Sequence, residues 1–267
     1  MKSKRIAFLG GGNMAEAIVG GLLAGGVSME RNVVVADVSA ERCAALERKY
    51  GIGTTADNAA AVRGADVVVL AVKPQQAAEA LAAARDAFTE NQLLASICAG
   101  LPTVALEKLV PARVVRVMPN LPALVRRGVT AICAGARATA ADLATAEQLF
   151  GAVGATVRLP ESQMNEVTAL SGSGPGYVFA FIEALEDAAV EMGLAPETAR
   201  KMAIETVRGA AELAAQTGED PAELRRRVSS KGGTTLAGLA AMVAGGFSSS
   251  VAAGMQAARD RAAELAR

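Results

Sequence analysis

The first half of the chain alternates short runs of apolar, largely β-branched residues with alanine-rich segments that have a helical pattern. Continuously apolar strands that alternate with helices are typical of a parallel sheet covered on both faces. The predicted strands are residues 5–9, 33–36, 67–72, 93–97, 114–118 and 130–133. The predicted helices between them include 14–24, 40–49 and 75–88. We therefore expect an α/β domain at the start of the chain.

The second half has a different pattern, with almost no strand signal after Pro160. Pro196 and Pro221 suit the first turns of helices, and Gly193 and Gly218 suit helix ends. The predicted helices are 176–192, 196–217, 221–228, 236–243 and 248–267. We expect two domains, an α/β domain over 1–160 and an all-helical domain over 161–267.

Composition excludes several classes of protein. The 267 residues carry 27 basic and 27 acidic side chains, and aromatic residues make up only 3%. A balanced charge and few aromatic rings argue against nucleic-acid binding, which needs clustered cations or stacking platforms. Because histidine is absent, a Ser-His-Asp triad and a His-ligated metal are excluded, and we expect no metal site.

Cysteine usage and apolar segments bear on location. The three cysteines are dispersed and form no CxxC motif, which favours reduced, mostly buried thiols in a cytoplasmic protein. The apolar run after Arg5 gives way at once to glycines, unlike a signal peptide. Residues 232–258 carry no charge, but Gly245 and Gly246 interrupt them, so we expect no membrane span. Their small residues allow close helix packing, so we expect them to form a buried interface.

A glycine loop follows the first predicted strand and opens the first predicted helix. Gly10, Gly12 and Ala15 fill the pattern G-x-G-x-x-G/A, in which the glycines allow a tight turn and close approach of a pyrophosphate. The start of the helix then offers free N–H groups to the phosphates. This strand–turn–helix context predicts a dinucleotide-binding domain of the Rossmann type.

The choice between NAD and NADP stays open at this point. Asp37 ends the second predicted strand, where a carboxylate suits the ribose 2′-hydroxyl of NAD. Ser39 and Arg42 lie close enough in sequence to serve the 2′-phosphate of NADP if Asp37 turns away.

Other candidate residues follow strand ends, where open α/β sheets bind ligands. Lys73 and Asn120 come after the third and fifth predicted strands. Alone, Lys73 is better explained as a solvated charge and Asn120 as a turn cap, but their shared edge of the sheet favours a cleft. The segment Leu170–Gly176 precedes a long apolar helix, and its explanation without a function is an ordinary flexible helix cap. Ser229–Thr235 combines two glycines, four hydroxyls and a lysine before a helix, which predicts a backbone site for a small carboxylate.

The whole chain closely resembles the pyrroline-5-carboxylate reductase family. Residues 10–14 resemble its G-x-G-N-M loop, 71–74 its A-V-K-P, and 117–122 its V-M-P-N-x-P. The segment 221–242 matches P-x-x-L-x-x-x-V-S-S-x-G-G-x-T-x-x-G-L-x-x-M without a mismatch. Gly176 departs from the family pattern, which usually has alanine there.

The resemblance implies a Rossmann domain, an all-helical dimerisation domain and an active site shared between two subunits. It also implies a homodimer through the C-terminal helices, with a decamer of five dimers as a larger assembly. The expected reaction is hydride transfer from NADPH, or alternatively NADH, to the C=N carbon of L-1-pyrroline-5-carboxylate, which gives L-proline and needs no strong acid.

The resemblance also assigns site residues. We expect Thr235, hydrogen-bonded to the ring nitrogen, and Lys73 to be catalytic. The expected cofactor-binding residues are Gly10, Gly12, Asn13, Met14, Asn58, Ala71, Val72, Lys73, Pro74, Ala99 and Gly100. The expected substrate-binding residues are Asn120, Ser173, Ser230, Gly232, Gly233, Thr234 and Thr235.

Two other interpretations compete with this one. A β-hydroxyacid dehydrogenase of the same architecture would carry a helical Lys-x-x-x-Asn, but the second half has only Lys201 and Lys231, and Lys201 is followed by Glu205. A nucleotide-binding regulator without enzymatic activity would not need the hydroxyl-rich segment Ser229–Thr235.

Overall fold

The computed structural model describes residues 1–265, and within them eight strands form a single sheet. The strands are β1 (Ile6–Leu9), β2 (Val33–Ala36), β3 (Gly53–Thr55), β4 (Val67–Leu70), β5 (Leu93–Ser96), β6 (Arg113–Met118), β7 (Gly128–Ala134) and β8 (Gly154–Arg158). Their order is β3-β2-β1-β4-β5-β6-β7-β8. The first six follow the order 3-2-1-4-5-6 of a Rossmann fold, so the predicted fold class is confirmed.

The sheet is parallel except between β6 and β7, which pair antiparallel. This corrects the expectation of a wholly parallel sheet. A parallel pairing needs a long crossover connection, whereas only residues 119–127 join these two strands. The sequence analysis also did not predict β3 and β8, which lie at the two edges of the sheet and are less apolar than its central strands.

Helices cover both faces of the sheet. They are α1 (Asn13–Ala24), α2 (Ala40–Tyr50), α3 (Asn58–Val62), α4 (Ala77–Ala84), α5 (Thr103–Leu109), α6 (Ala140–Phe150) and α7 (Met164–Val167). Successive strand residues point to opposite faces: Ile6 and Phe8 pack in one buried cluster with α1, and Ala7 and Leu9 pack in another with α3 and α4. Burial on both faces explains why β1, β2 and β4 are apolar throughout.

The remaining helices are α8 (Gly174–Glu191), α9 (Pro196–Thr217), α10 (Pro221–Arg227), α11 (Thr234–Ala244) and α12 (Phe247–Leu265). They reproduce the predicted helices to within a few residues. The last two residues of the predicted helix 248–267 lie outside the described residues. Within residues 1–265, no single helix is long and apolar enough to cross a membrane, although the bent pair α11 and α12 passes on length and composition.

The chain divides into two compact units. The division falls between Ser173 and Gly174, whereas the sequence analysis placed the domain boundary near residue 160. The first unit comprises residues 1–173 with 258–265, and the second comprises 174–257. Residues 161–173 belong to the first unit because they pack on its sheet. Met164 is buried against Ala131 and Cys133, and the Glu161 carboxylate accepts hydrogen bonds from the Thr103 N–H (2.8 Å) and the Arg116 guanidinium (3.2 Å).

Apolar side chains of the second unit are widely exposed in the single chain. No residue of α8 or α11 is buried, and both helices lie wholly within the described residues. Phe179 and Met202 are 56% and 57% exposed. Two helices that offer apolar side chains but bury none within their own chain are typical of an interface.

Candidate active site

The glycine loop between β1 and α1 combines a closely packed glycine with an open one. Gly10 has a φ of +97°, and a Cβ built there would lie 2.7 Å from the carbonyl oxygen of Ala71. A Cβ on Gly12, the N-cap of α1, would meet no described atom within 4 Å. The loop therefore has free space beside Gly12, where the first N–H groups of α1 lack partners inside the helix. A phosphate fits this arrangement.

Gly11, the middle residue of the loop, is held at both of its peptide groups by two side chains. One is Asp37, which directly follows β2, and the other is Arg42 of α2. The Asp37 carboxylate accepts hydrogen bonds from the N–H of Gly11 (2.7 Å) and the N–H of Ser39 (2.9 Å). The Arg42 guanidinium donates to the carbonyl oxygen of Gly11 and to the Glu16 carboxylate. Asp37 and Arg42, two of the three residues on which the choice between NAD and NADP turned, are thus bonded to the loop or to its helix. The third, Ser39, caps α2 by accepting from the N–H of Arg42.

Glu16 lies in the first turn of α1 and collects three donors. Besides Arg42, they are the Lys49 ammonium at 2.7 Å and the Tyr50 hydroxyl at 3.3 Å. The hydrogen bond from Lys49, helped by Arg42, lowers the pKa of Glu16 despite its partial burial. Glu16 is therefore ionised at neutral pH and remains a partner for the Arg42 guanidinium.

A cleft of about 680 Å³ opens at the carboxyl ends of β1, β2 and β4 in the first unit. It brings together six predicted cofactor residues: Gly10, Gly12, Asn58, Ala71, Val72 and Lys73. It also includes Asp57, Gln76 and Glu79, which the sequence analysis did not select. Asp57 caps α3 by accepting from the N–H groups of Ala59 and Ala60, and an Asp-Asn pair before an alanine run is the sequence signal that predicts such a cap.

The other predicted cofactor residues do not line this cleft. Asn13 and Met14 form the start of α1, and Pro74 begins a short 3₁₀ turn (Pro74–Gln76). Ala99 and Gly100 follow β5, farther along the sheet edge. Gly100 has a φ of +79°, and a Cβ there would lie 2.8 Å from the carbonyl oxygen of Leu265.

Asn120 is 8% exposed, and both ends of its amide are bonded inside the first unit. Its Oδ1 accepts from the N–H of Val129 (2.9 Å), and its Nδ2 donates to the carbonyl of Ser171 (3.0 Å). Ser171 belongs to a π-helical turn, Thr168–Gly172, that leads directly to Ser173. Within the segment 170–176, only Ser173 lies outside helical structure, as the bend between this turn and α8. Asn120 holds the turn that carries Ser173, and π-turns of this kind frequently occur at functional sites.

In the second unit, the loop before α11 presents backbone groups at a helix start. Gly232 has a φ of +73°, and Gly233 is the N-cap of α11. A Cβ on Gly233 would lie 2.5 Å from the hydroxyl of Ser230, so only glycine fits there without displacing that side chain. Thr234 and Thr235 form the exposed first turn of the helix. Five predicted substrate residues thus share one turn. The N–H of Gly233 donates to the carbonyl oxygen of Ser230 (2.9 Å), whereas the N–H groups of Thr234 and Thr235, in the first turn of α11, have no partner within the helix.

Titratable groups outside these loops are mostly structural. Burial raises the pKa of the Cys98 and Cys133 thiols to about 11, so both stay protonated at neutral pH. Among residues 1–265 there is no group of three or more Cys, Asp or Glu side chains that could hold a metal ion.

Two family models match separate parts of the chain. A model described as pyrroline-5-carboxylate reductase dimerisation matches residues 161–265. A model described as NADP oxidoreductase coenzyme F420-dependent matches residues 5–100. The first match covers the helical second half, and the second covers the glycine loop and strands β1 to β5.

Comparison with whole proteins extends the likeness over the full length. The chain is 44% identical to a pyrroline-5-carboxylate reductase of Pseudomonas aeruginosa, with 100% of this chain and 98% of the relative covered. It is 39% identical to the one of Methanosarcina acetivorans, with both chains fully covered. The solved structure of a pyrroline-5-carboxylate reductase from Coxiella burnetii superposes with a TM-score of 0.94 at 37% identity over 100% of both chains. A pyrroline carboxylate reductase from Plasmodium falciparum, solved with NADP bound, superposes with a TM-score of 0.89 at 28% identity, again over 100% of both chains.

Proposed function

The chain belongs to the pyrroline-5-carboxylate reductase family, and from that premise we propose that it reduces L-1-pyrroline-5-carboxylate to L-proline with NAD(P)H. The observation that carries the proposal is the match over the full length to relatives of this name. The substrate is a cyclic imine with one carboxylate, and its protonated form is already electrophilic. A chain without histidine therefore suits the reaction, because the protein has mainly to bind and orient its two ligands.

The cofactor is assigned to the glycine loop and the cleft beside it. The free space at Gly12 and the start of α1 fit a pyrophosphate, and this is the observation that supports the assignment. When bound, the nicotinamide supplies the hydride. NADPH is the proposed cofactor and NADH the alternative; the Plasmodium falciparum relative has NADP bound. The proposed cofactor residues are the eleven expected above.

The substrate carboxylate is assigned to the turn before α11. Its proposed ligands are the N–H groups of Gly232, Gly233 and Thr234, because N–H groups at a helix start attract an anion. The N–H of Gly233 would share its hydrogen bond to the carbonyl oxygen of Ser230 with the carboxylate. Ser230 would contact the ring, and the Thr235 hydroxyl would hydrogen-bond its nitrogen. Asn120 and Ser173 are proposed to border the substrate.

Lys73 remains a proposed catalytic residue. Its place in the lining of the cleft supports a position near the cofactor.

The assembly proposed is a homodimer through the C-terminal helices. The match of residues 161–265 to a dimerisation model and the exposed apolar side chains of α8 and α11 support it. Five dimers in a decamer, and a cytoplasmic location, rest on the resemblance and on the cysteine pattern alone. Light scattering of the purified protein decides between the masses of a dimer and a decamer.

The test of the reaction is an initial-rate assay with purified protein, the cyclic imine and NADPH or NADH. Oxidation of the nucleotide with stoichiometric formation of proline is expected. Nucleotide binding without turnover would favour a regulator, and turnover of a 3-hydroxy acid without imine reduction would favour a hydroxyacid dehydrogenase.

A further inference from the structure

We propose that Arg42 is a positioning residue that fixes the orientation of the glycine loop, and that it is not the ligand of a 2′-phosphate. The inference rests on the proposed function only in requiring that the loop bind NAD(P)H. It follows from the hydrogen bonds that connect α2 to the loop.

The Arg42 side chain contacts both the glycine loop and α1. Its Nε donates to the carbonyl oxygen of Gly11, and one terminal nitrogen lies 3.4 Å from the carbonyl oxygen of Gly12. The same nitrogen pairs with the Glu16 carboxylate. One guanidinium thus bridges two successive peptide groups of the loop and the helix that follows it, a geometry that its planar fork permits and a lysine cannot reproduce.

The N–H groups of the same two peptide units point away from Arg42. In a planar trans peptide the C=O and the next N–H point in opposite directions. Holding the carbonyls of Gly11 and Gly12 therefore directs the N–H groups of Gly12 and Asn13 away from Arg42. The N–H of Gly11 is already bonded to Asp37. The amide that depends most on Arg42 is that of Gly12, because the Gly12 carbonyl also accepts from the N–H of Glu16 (2.9 Å) in the first turn of α1. It lies beside the other N–H groups of that turn, which have no partner within the helix.

Arg42 is itself held in place by the Glu16 carboxylate. Glu16 also accepts from Lys49 and Tyr50, and the hydrogen bond from Lys49 is the largest influence that keeps its pKa low. The Arg42 side chain is 27% exposed and the Glu16 side chain 19%. To reach a phosphate at the end of β2, the guanidinium would have to leave a half-buried ionised partner and two carbonyls.

The test compares NADPH and NADH binding to the full chain by fluorescence titration without the imine. The variant Arg42→Met is expected to raise the Kd of both nucleotides by the same factor of about ten, the effect of one charge-assisted hydrogen bond. Arg42→Lys should give a smaller rise, again equal for the two. Arg48→Met removes the same charge from an exposed position of α2 and serves as the matched control, with both Kd values unchanged.

Two results would overturn the proposal: a loss confined to NADPH, which would make Arg42 a 2′-phosphate ligand, or no change with either nucleotide. In the imine assay the KM of the nucleotide should rise while kcat stays unchanged, whereas a merely structural role would lower the melting temperature and kcat. Because binding is measured without the imine, it remains informative even if the proposed reaction is not found.

A second variant keeps the proposal testable if Arg42→Met does not fold. Glu16→Gln removes the charge that holds the guanidinium. Positioning by Arg42 predicts that both nucleotides bind more weakly, by equal factors. If Arg42 were a 2′-phosphate ligand restrained by Glu16, the same variant would bind NADPH more tightly relative to NADH, and that result would refute the proposal.

Discussion

Gly10→Ala and Gly12→Ala should affect different properties of the protein, although the two positions are only two residues apart. The first should lower stability, and the second should weaken nucleotide binding. At Gly10 the backbone has a φ of +97°, and the added Cβ would lie 2.7 and 2.8 Å from the carbonyl oxygen and carbon of Ala71. A left-handed conformation costs a non-glycine residue roughly 1–2 kcal/mol. The clash with backbone atoms adds to this cost, because neither partner can rotate away.

Gly10→Ala is therefore expected to lower the free energy of unfolding by about 2–3 kcal/mol. For a chain of this size that corresponds to a melting temperature lower by about 4–12 °C. At Gly12 the φ is −64°, which alanine adopts, and the added Cβ meets no described atom within 4 Å. Gly12→Ala should change stability by less than about 0.5 kcal/mol.

Nucleotide binding, in contrast to stability, should be impaired by Gly12→Ala. In Gly12→Ala the new methyl group occupies space assigned to the pyrophosphate, so we expect the Kd of NADPH to rise by about tenfold or more. Thermal unfolding and fluorescence titration of both variants measure the two effects. Unchanged NADPH binding by Gly12→Ala, or equal loss of stability in both variants, would refute this account of the loop.

Four further predictions address the second unit, assembly and pH. Thr235→Val keeps the shape and removes the hydroxyl, so kcat for the imine should fall about tenfold with little change in the KM of NADPH; unchanged turnover would remove Thr235 from the mechanism. Gly233→Val places a Cβ 2.5 Å from the Ser230 hydroxyl and should raise the KM of the imine far more than that of NADPH, whereas equal effects would count against the carboxylate site. Because α8 and α11 bury no residue in the single chain, the melting temperature measured by calorimetry should fall on dilution, and a constant value would argue against a dimer interface there. Burial alone would raise the pKa of Asp142, but hydrogen bonds from the Arg113 guanidinium and from the N–H and hydroxyl of Thr139 outweigh it and lower the pKa below its ordinary value. Stability that is present at neutral pH should therefore be lost as the pH falls through the folded-state pKa, and the loss should be less steep in Asp142→Asn; urea titrations from pH 7 downward measure it.

The position of the nucleotide loop could be predicted because its requirements are local. A strand, a tight turn and a helix start lie within about ten residues, and glycine is the residue that a positive φ such as that of Gly10 demands. The helices of the second half were predictable for the same reason, since Pro196 and Gly218 mark the start and end of α9.

The side-chain partners in the first unit could not be predicted in this way. Arg42 contacts Gly11 and Glu16 across 31 and 26 positions of sequence, and Asn120 bonds to Ser171 across 51. Nothing in the local pattern indicates that Arg42 turns toward the loop and not toward a ligand, or that Asn120 holds a π-turn. These contacts depend on which strands become neighbours.

The sequence by itself thus determined the alternation of strands and helices, the glycine loop and the all-helical second half, because each is specified by residues close together in the chain. The tertiary structure alone decided the antiparallel pairing of β6 with β7, the hydrogen bonds of Asp37 and Arg42 to Gly11, and the exposure of α8 and α11. A hydrophobic pattern shows that a face is to be buried, but only the folded chain shows against what.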